Sequence, residues 1–454
     1  MMCYKIFLIL VITYGEELHA QSISAATFGH NFTTLFPSTN KRSKENPEIG
    51  VTLINPNIRS ASVSIKYAKG RFLRSLDEIT VVVEPMSYRV VHFNDSLINR
   101  CENVAYKNFV ECSDSRISIS SLNEPIAVLS HWFLPDAGDS FLVFPTSMAT
   151  NRYAFSAPAP AAGGLTTVYF LPERNDMTIS VVGEIDERPF NYSFSPKLEN
   201  GNLRTIQTIS NLALTANANA SFTVIVVVDE LIASGGIGRT DLGIYMPTPL
   251  HDSETIFDCY HGNDYHIATL YAAKKFLIMK DDLRCDVECT IFDETEHTIS
   301  YPLDELYNDF EFVEHGQTVG FNSSSAMLQV IRHCYRNKLI SGSFLDLVVS
   351  WSQFVTDLTA FVVPSDENIV TVMGDTEATT STISGSRIPA EFIWNWTPVD
   401  IYNKTFYYST VSLPTGFYTI SSRGFYTVFV AGQIQNAAYG FVTAYNGNQL
   451  WKLQ

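Results

Sequence analysis

The sequence predicts an all-β protein built from duplicated antiparallel β-sandwich units, and three observations predict it. Short runs of alternating or continuous β-branched and aromatic residues recur along the chain, separated by Asn, Pro, Gly and Ser. Helical periodicity is scarce, with short candidates only at 266–275 and 303–309. A pattern of strand, polar turn and apolar strand repeats as a hairpin unit at SISSLNEPIAVLSHW (118–132), LTANANASFTVIVVV (214–228) and YTISSRGFYTVFVAG (418–432). A weaker copy is LISGSFLDLVVSW (339–351).

From the N-terminus, MMCYKIFLILVITYGEELHA combines Lys5, an apolar core too short to span a bilayer, and Leu18-His19-Ala20 as a cleavage site. Residues 1–20 therefore read as a secretory signal peptide, with a mature chain beginning near Gln21. Strands follow at 51–54, 62–67 and 79–83. In HWFLPDAGDSFLVFPTS (131–147), Asp136 and Asp139 invite reading as a carboxylate site. A catalytic pair needs convergent partners. His131 sits five to eight residues away along extended chain at about 3.3 Å per residue, so Pro-Asp-Ala-Gly-Asp reads as turn chemistry. FTVIVVVDELIA (222–233) is broken by Asp229 and Glu230 and reads as a buried strand, so no transmembrane span is expected.

The segments 214–228 and 418–432 align without a gap, matching Thr215 with Thr419, Thr223 with Thr427, Val224 with Val428 and Val226 with Val430. The stretch 128–145 also sits over 348–364, pairing Val128 with Val348, Ser130 with Ser350 and Phe141 with Phe361. Two β-sandwich halves are expected, 21–247 and 248–454, each with two hairpin units. APAPAAGG near 157–164 and TEATTSTISGS near 376–386 read as linkers, the second suited to O-linked sugars.

A formal net charge of −17 argues against a nucleic-acid partner, because an acidic chain repels phosphate. Of seven cysteines, Cys3 leaves with the signal. Cys101, Cys112, Cys259, Cys285, Cys289 and Cys334 remain, an even set that predicts three disulfides in a secreted chain. Cys101 and Cys112 are expected to pair, closing a short loop worth about 3 kcal/mol; the other four allow three pairings. Asn-x-Ser/Thr sequons at Asn31, Asn94, Asn191, Asn219, Asn322, Asn395 and Asn403 are expected glycosylation sites on the surface.

Chemistry-bearing motifs are scarce. Cys259-Tyr-His261 with Asp264 and His266 lacks zinc-finger spacing. The acidic DDLRCDVEC (281–289) and DETE (293–296) lack a calcium-loop pattern, and SGGIGRTDLG (234–243) lacks the Lys-Ser/Thr of a phosphate loop. No nucleophile elbow, H-E-x-x-H or papain-like cysteine motif occurs. The expectation is no catalytic residue, no metal ligand, no cofactor and no enzyme activity. Trp394 and Trp396 are the candidate ligand contacts, because paired tryptophans suit sugar or protein. Their spacing of two also suits one buried face.

Several stretches resemble the IgG Fc-binding-protein N-terminal domain family. GHNFTTLFP (29–37) is similar to that family's opening G-x-x-F-x-x-x-F, and ISISSLNEPIAVLSHW followed by GDSFLVFP (138–145) resembles its central strand pair. The ending from 416 to 447, with Gly432 and Tyr439-Gly440-Phe441, resembles its closing hairpin. The resemblance implies an extracellular, disulfide-bearing β module of adhesion, mucus or matrix, with no catalytic residues. The von Willebrand D-type and cysteine-rich modules of its large members are missing, and no residue maps to immunoglobulin binding. The expected function is thus a secreted, glycosylated, non-enzymatic binding or adhesion protein of matrix or mucus, with an extracellular protein or glycan as ligand. The alternatives are a secreted carbohydrate-active enzyme on a β scaffold and a purely structural matrix or coat protein.

Overall fold

The stretch Glu48–Asn55 shows how these sequences make sheet. Successive side chains of a strand point to opposite faces, so Ile49, Val51 and Leu53 enter a core where none is more than 1% exposed. Glu48, Gly50 and Thr52 then line the other face. In this computed structural model the described residues are 25–447, apart from 39–45, 69–75, 96–97, 99–108, 197–201, 233–238, 251–263, 272, 281–284, 294–297, 304, 313–317, 324–325, 335–341, 386 and 389–391. The expected signal peptide, 1–20, lies outside them.

Four units follow one another. The first is a sandwich whose strands are β1 (Asn31–Thr34), β2 (Glu48–Asn55), β3 (Ala61–Ala68), β4 (Leu76–Val83), β5 (Ser87–Phe93), β6 (Phe109–Ser113), β7 (Ile117–Ser121), β8 (Ala127–Leu134) and β9 (Ala137–Val143). They form two four-stranded sheets, β1-β7-β3-β4 and β5-β2-β8-β9, while β6 joins the next unit. The second unit comprises β10 (Thr150–Ala157), β11 (Thr166–Pro172), β12 (Ile179–Ile185), β13 (Arg188–Phe194), β14 (Asn202–Thr208), β15 (Leu212–Ile232) and β16 (Thr240–Tyr245). Its order is β13-β12-β15-β11-β14-β6, with β10 and β16 also paired to β15.

The third unit comprises β17 (Asp264–Thr269), β18 (Ala273–Lys280), β19 (Glu288–Asp293), β20 (Thr298–Pro302), β21 (Asn308–Glu311), β22 (Thr318–Ser323), β23 (Leu328–Cys334) and β24 (Leu345–Val348). Its sheets, β17-β22-β19-β20 and β21-β18-β23-β24, repeat the order of the first unit strand for strand. The fourth comprises β25 (Val355–Val363), β26 (Asn368–Gly374), β27 (Thr382–Gly385), β28 (Thr397–Ile401), β29 (Lys404–Val411), β30 (Gly416–Ile434) and β31 (Ala437–Val442). Its order, β25-β30-β26-β29-β28 with β27 and β31 on β30, repeats the second without a described counterpart of β13, β28 standing where β6 stands there. Pairing is antiparallel throughout the described strands. The fold is all-β with repeated sheets, and no described helix is long and apolar enough to cross a membrane.

The ungapped match of 214–228 with 418–432 has a structural counterpart. Val226 faces Val168 on β11 and Tyr245 on β16, and Val430 faces Val370 on β26 and Phe441 on β31. Neither segment is a hairpin, however. β15 and β30 run unbroken through the polar middle, where Asn217 and Asn219 are exposed and the strand changes partners from β12 to β11. A long strand that bends between partners looks like strand–turn–strand in sequence, because the bend exposes it. Residues 118–132 are likewise not a hairpin, since β7 and β8 belong to opposite sheets.

Other expectations are corrected too. Phe141 lies in β9 and Phe361 in β25, so the match of 128–145 over 348–364 does not join equivalent positions. Equivalence runs through the 3-10 turns instead: Pro145 precedes Thr146–Met148 as Ser350 precedes Trp351–Gln353, where Ser350 and Gln353 form a capping box. Of the stretches read as linkers, one is a loop between two strands of a sheet and the other carries a strand of its own. Residues 157–164 connect β10 to β11 and bond back to β15 through Ala161 N–H to the Glu230 carbonyl, and 376–386 carries a 3-10 turn and β27. The short helical candidates are strand and loop: Phe276, Leu277 and Ile278 continue the first, 266–275, as a buried sheet strand, and the second runs from loop into β21. One apolar core runs through the first, second and fourth units and takes in Ile267, Leu277, Ile331 and Leu345 of the third, which has a further core of its own around Phe276, Phe321 and Cys289.

Candidate functional site

In the sheet β5-β2-β8-β9, strand pairing aligns His92, Gly50, His131 and Ser140 in one cross-strand row. Glu48, two residues before Gly50, shares its face. The ligand atoms of Glu48, His92 and His131 lie within 4.8 Å of one another, and His92 Nδ1 is 3.3 Å from Glu48 Oε1. Gly50 makes room for the His131 ring: a Cβ there would stand 2.5 Å from its Nε2. A cavity of about 260 Å³ opens over the row. Its far wall is Val362, Val363 and Pro364 at the end of β25, with Thr415 and Ile434, so it lies on the seam between the first and fourth units. Burial, and then the neighbouring His92, lower the His131 pKa to about 3. At neutral pH His131 is therefore an uncharged imidazole with a free lone pair.

A second constellation lies where the last strands of all four units meet. Asp241 of β16 accepts from Gly138 N–H (2.7 Å) in the first unit and Leu242 N–H (2.9 Å) through Oδ1. Through Oδ2 it accepts from Ser343 N–H (3.0 Å) ahead of β24 and Ala438 N–H (2.9 Å) of β31. One carboxylate thus bonds backbone from every unit. Asp139 accepts from Ser140, Ile244 and Leu345 N–H at 2.8, 2.8 and 3.3 Å. Asp346 pairs with Arg332 at 2.7 Å and accepts from Val442 N–H, and the Arg332 guanidinium lies over the Phe429 ring. Burial pushes Asp139 well above the usual carboxylate range and Asp241 to about 7, against the pull of these N–H groups. The Asp136/Asp139 reading changes accordingly. Asp136 is the exposed turn residue, but Asp139 is fully buried within β9, opposite Trp132.

Asp264 and His266 form a buried pair, Nε2 to Oδ2 at 3.0 Å, and His266 Nδ1 lies 2.7 Å from the Val348 carbonyl oxygen. Burial would raise the Asp264 carboxyl, but the His266 charge and hydrogen bonds hold it below the ordinary range. Its Oδ2 also takes the Leu328 N–H, so the buried pair ties strands together. Cys259 and His261 lie outside the described residues.

The remaining expected site residues separate. Cys289 is a free, buried thiol, which corrects the pairing of all six cysteines: it faces the third unit's core beside Phe321, with burial pushing it to about 12. Cys112 and Cys285 are disulfide-bonded. Cys101 lies outside the described residues, and Cys334 ends β23. Asn31, Asn94, Asn191, Asn219, Asn395 and Asn403 are exposed; Asn322 is half-buried in β22, between β17 and β19. Trp394 is buried and Trp396 half-buried, their rings 5.7 Å apart against Phe392 and the shared core, so they serve packing rather than an open contact surface. Sequence reasoning missed the Glu48–His92–His131 group because only the order β5-β2-β8 unites residues so far apart. The available signal was a polar residue at an outward position of three separate strands.

No family model matches the chain, and no curated protein does. Among solved structures, a viral chemokine binding protein encoded by rodent gammaherpesvirus Peru aligns at 10% identity over 69% of this chain and 90% of its own, with a TM-score of 0.16. A likeness that slight carries no argument about fold or function.

Proposed function

We propose that the chain is a secreted, glycosylated, non-enzymatic binding or adhesion protein of matrix or mucus, recognising an extracellular protein or glycan. The observation that carries this reading is the use of its buried acids. Asp139, Asp241 and Asp346 all hold backbone N–H groups of neighbouring units, making one stiff body of four β units. Asp264 is held in a buried hydrogen bond with His266. Carboxylate oxygens taken up by backbone N–H groups in a packed junction hold strands together. Six exposed sequon asparagines and the strand patterns shared with the IgG Fc-binding-protein N-terminal domain support the same reading. The seam cavity, at about 260 Å³, falls below the roughly 300–1,000 Å³ of small-molecule sites. It suits one inserted side chain or sugar ring of a larger partner.

The test is a screen of the chain purified from a eukaryotic secretion host, against arrayed glycans and purified extracellular proteins, immunoglobulin Fc included. Saturable binding that Val90→Arg abolishes at the cavity wall is expected. Absence of binding, or release of shortened glycans, overturns the reading, the latter in favour of a carbohydrate-active enzyme.

A further inference from the structure

The strand-for-strand repeat supplies an internal comparison for the Glu48–His92–His131 group. With β9 matched to β24 through their 3-10 turns, Ser140 corresponds to Leu345, and the rows can be followed outward. In the first unit the row reads His92, Gly50, His131, Ser140; in the third it reads Glu311, Lys275, His333, Leu345. The histidine next to β9 or β24 is kept, and His333 is as buried as His131. The middle position differs. Lys275 extends its ammonium to Glu311 at 3.3 Å, close enough that its charge helps hold His333 neutral. The third unit therefore sets a covalently attached cation between a carboxylate and an imidazole. In the first unit the lysine is replaced by Gly50, the carboxylate comes from Glu48 instead, and a second imidazole, His92, faces the vacated space.

We propose that Glu48, His92 and His131 bind a divalent transition-metal ion of the zinc class at the seam between the first and fourth units. Two imidazoles and one carboxylate form a borderline-soft donor set that suits such ions and leaves a coordination position open. The open position faces the cavity, where water or a donor atom from outside completes the shell. The three donors need to close from 4.8 Å by only about 1.5 Å, within the rotamer freedom of Glu48 and His92, both more than half exposed. His131, packed over Gly50, is the fixed member. The site belongs to one sheet and does not rest on the binding function proposed above.

The test is equilibrium dialysis of the untagged full chain, stripped with chelator, against zinc chloride, with cobalt(II) as a spectroscopic probe. One zinc per chain and the visible bands of a low-symmetry cobalt site are expected. His92→Ala and Glu48→Gln, surface changes that leave the core alone, should each weaken zinc binding at least about tenfold. Lys275→Gly should leave it unchanged. His131→Ala should abolish it, with circular dichroism confirming the fold. No stoichiometric zinc, or zinc retained at near wild-type affinity by either His92→Ala or Glu48→Gln, overturns the proposal.

Discussion

Asp241→Ala tests whether the four units are joined as described. The carboxylate accepts four backbone N–H groups, and Asp241 is only 1% exposed. Each buried donor left without an acceptor costs about 1–3 kcal/mol, so four cost roughly 8 kcal/mol. Against this, the variant no longer buries a charge. The rise of this carboxyl to about 7 from 3.8 puts that relief at about 4 kcal/mol. The difference, a loss of about 4 kcal/mol, is a large part of the 5–15 kcal/mol that typically holds a domain folded. The assay is urea unfolding followed by tryptophan fluorescence in a Trp451→Phe background, which reports on the first unit through Trp132 and the fourth through Trp351, Trp394 and Trp396. Wild type should lose both signals together. Asp241→Ala should unfold earlier, with the first and fourth units coming apart as separate transitions. A shift under 1 kcal/mol with a single transition would refute the junction as the source of coupling.

Three further outcomes follow from particular side chains. His131 holds near 3 when folded against 6.5 in the unfolded chain, so its contribution is whole above pH 6.5 and drains away as pH falls toward 3. Asp241, raised to about 7, acts in the opposite sense, so the measurement is a difference: in chelator, wild type should lose about 3 kcal/mol more than His131→Asn between pH 7 and pH 4, and equal losses would contradict the burial argument. Cys289, buried with its thiol pushed to about 12, should resist iodoacetamide in the native chain and react in urea; native alkylation mapped by mass spectrometry would place it elsewhere. Glycopeptide mapping of secreted protein should find sugar at exposed asparagines such as Asn191 and Asn403 and none at Asn322, which is half-buried between two strands.

The fold class was legible because alternation is local: Ile49, Val51 and Leu53 declare a half-buried strand without reference to any partner. Duplication was legible where sequence and pairing repeat together, along β15 and β30. The hairpin reading failed at Asn217 and Asn219 because a polar bend in one strand and a turn between two have the same composition. Pairing order was not legible at all. Nothing in the run Ala127–Leu134 states that β2 lies beside it, yet that adjacency alone brings His131 to Glu48 and His92. Asp139 shows the same limit. A carboxylate after Pro-Asp-Ala-Gly reads as turn chemistry until the backbones of β16 and β24 arrive to bond it.

The junction also explains why the repeat fades where the halves meet. By the strand equivalences, Asp139 in β9 corresponds to Phe344 just ahead of β24, and Asp241 in β16 to Ala437 in β31. Each aspartate of the first half bonds the backbone next to its own counterpart: Asp139 takes the N–H of Leu345, and Asp241 that of Ala438. The two halves therefore face each other about an approximate two-fold relation, and a side chain lying across it occupies the place its counterpart would need. Four aspartates there would set like charges against one another in a site where Asp241 already helps raise Asp139. They would also compete for N–H donors that two carboxylates already use. A duplicated chain closing on itself can keep its strand order, but at the contact between copies it must become unequal. Phe344, packed against Phe429, and the small Ala437 are the residues that make it so. The same inequality recurs at the seam, where Gly50 stands in one copy and Lys275 in the other. Both differences lie where one half touches something its copy does not, which is where divergence after duplication has physical cause to concentrate.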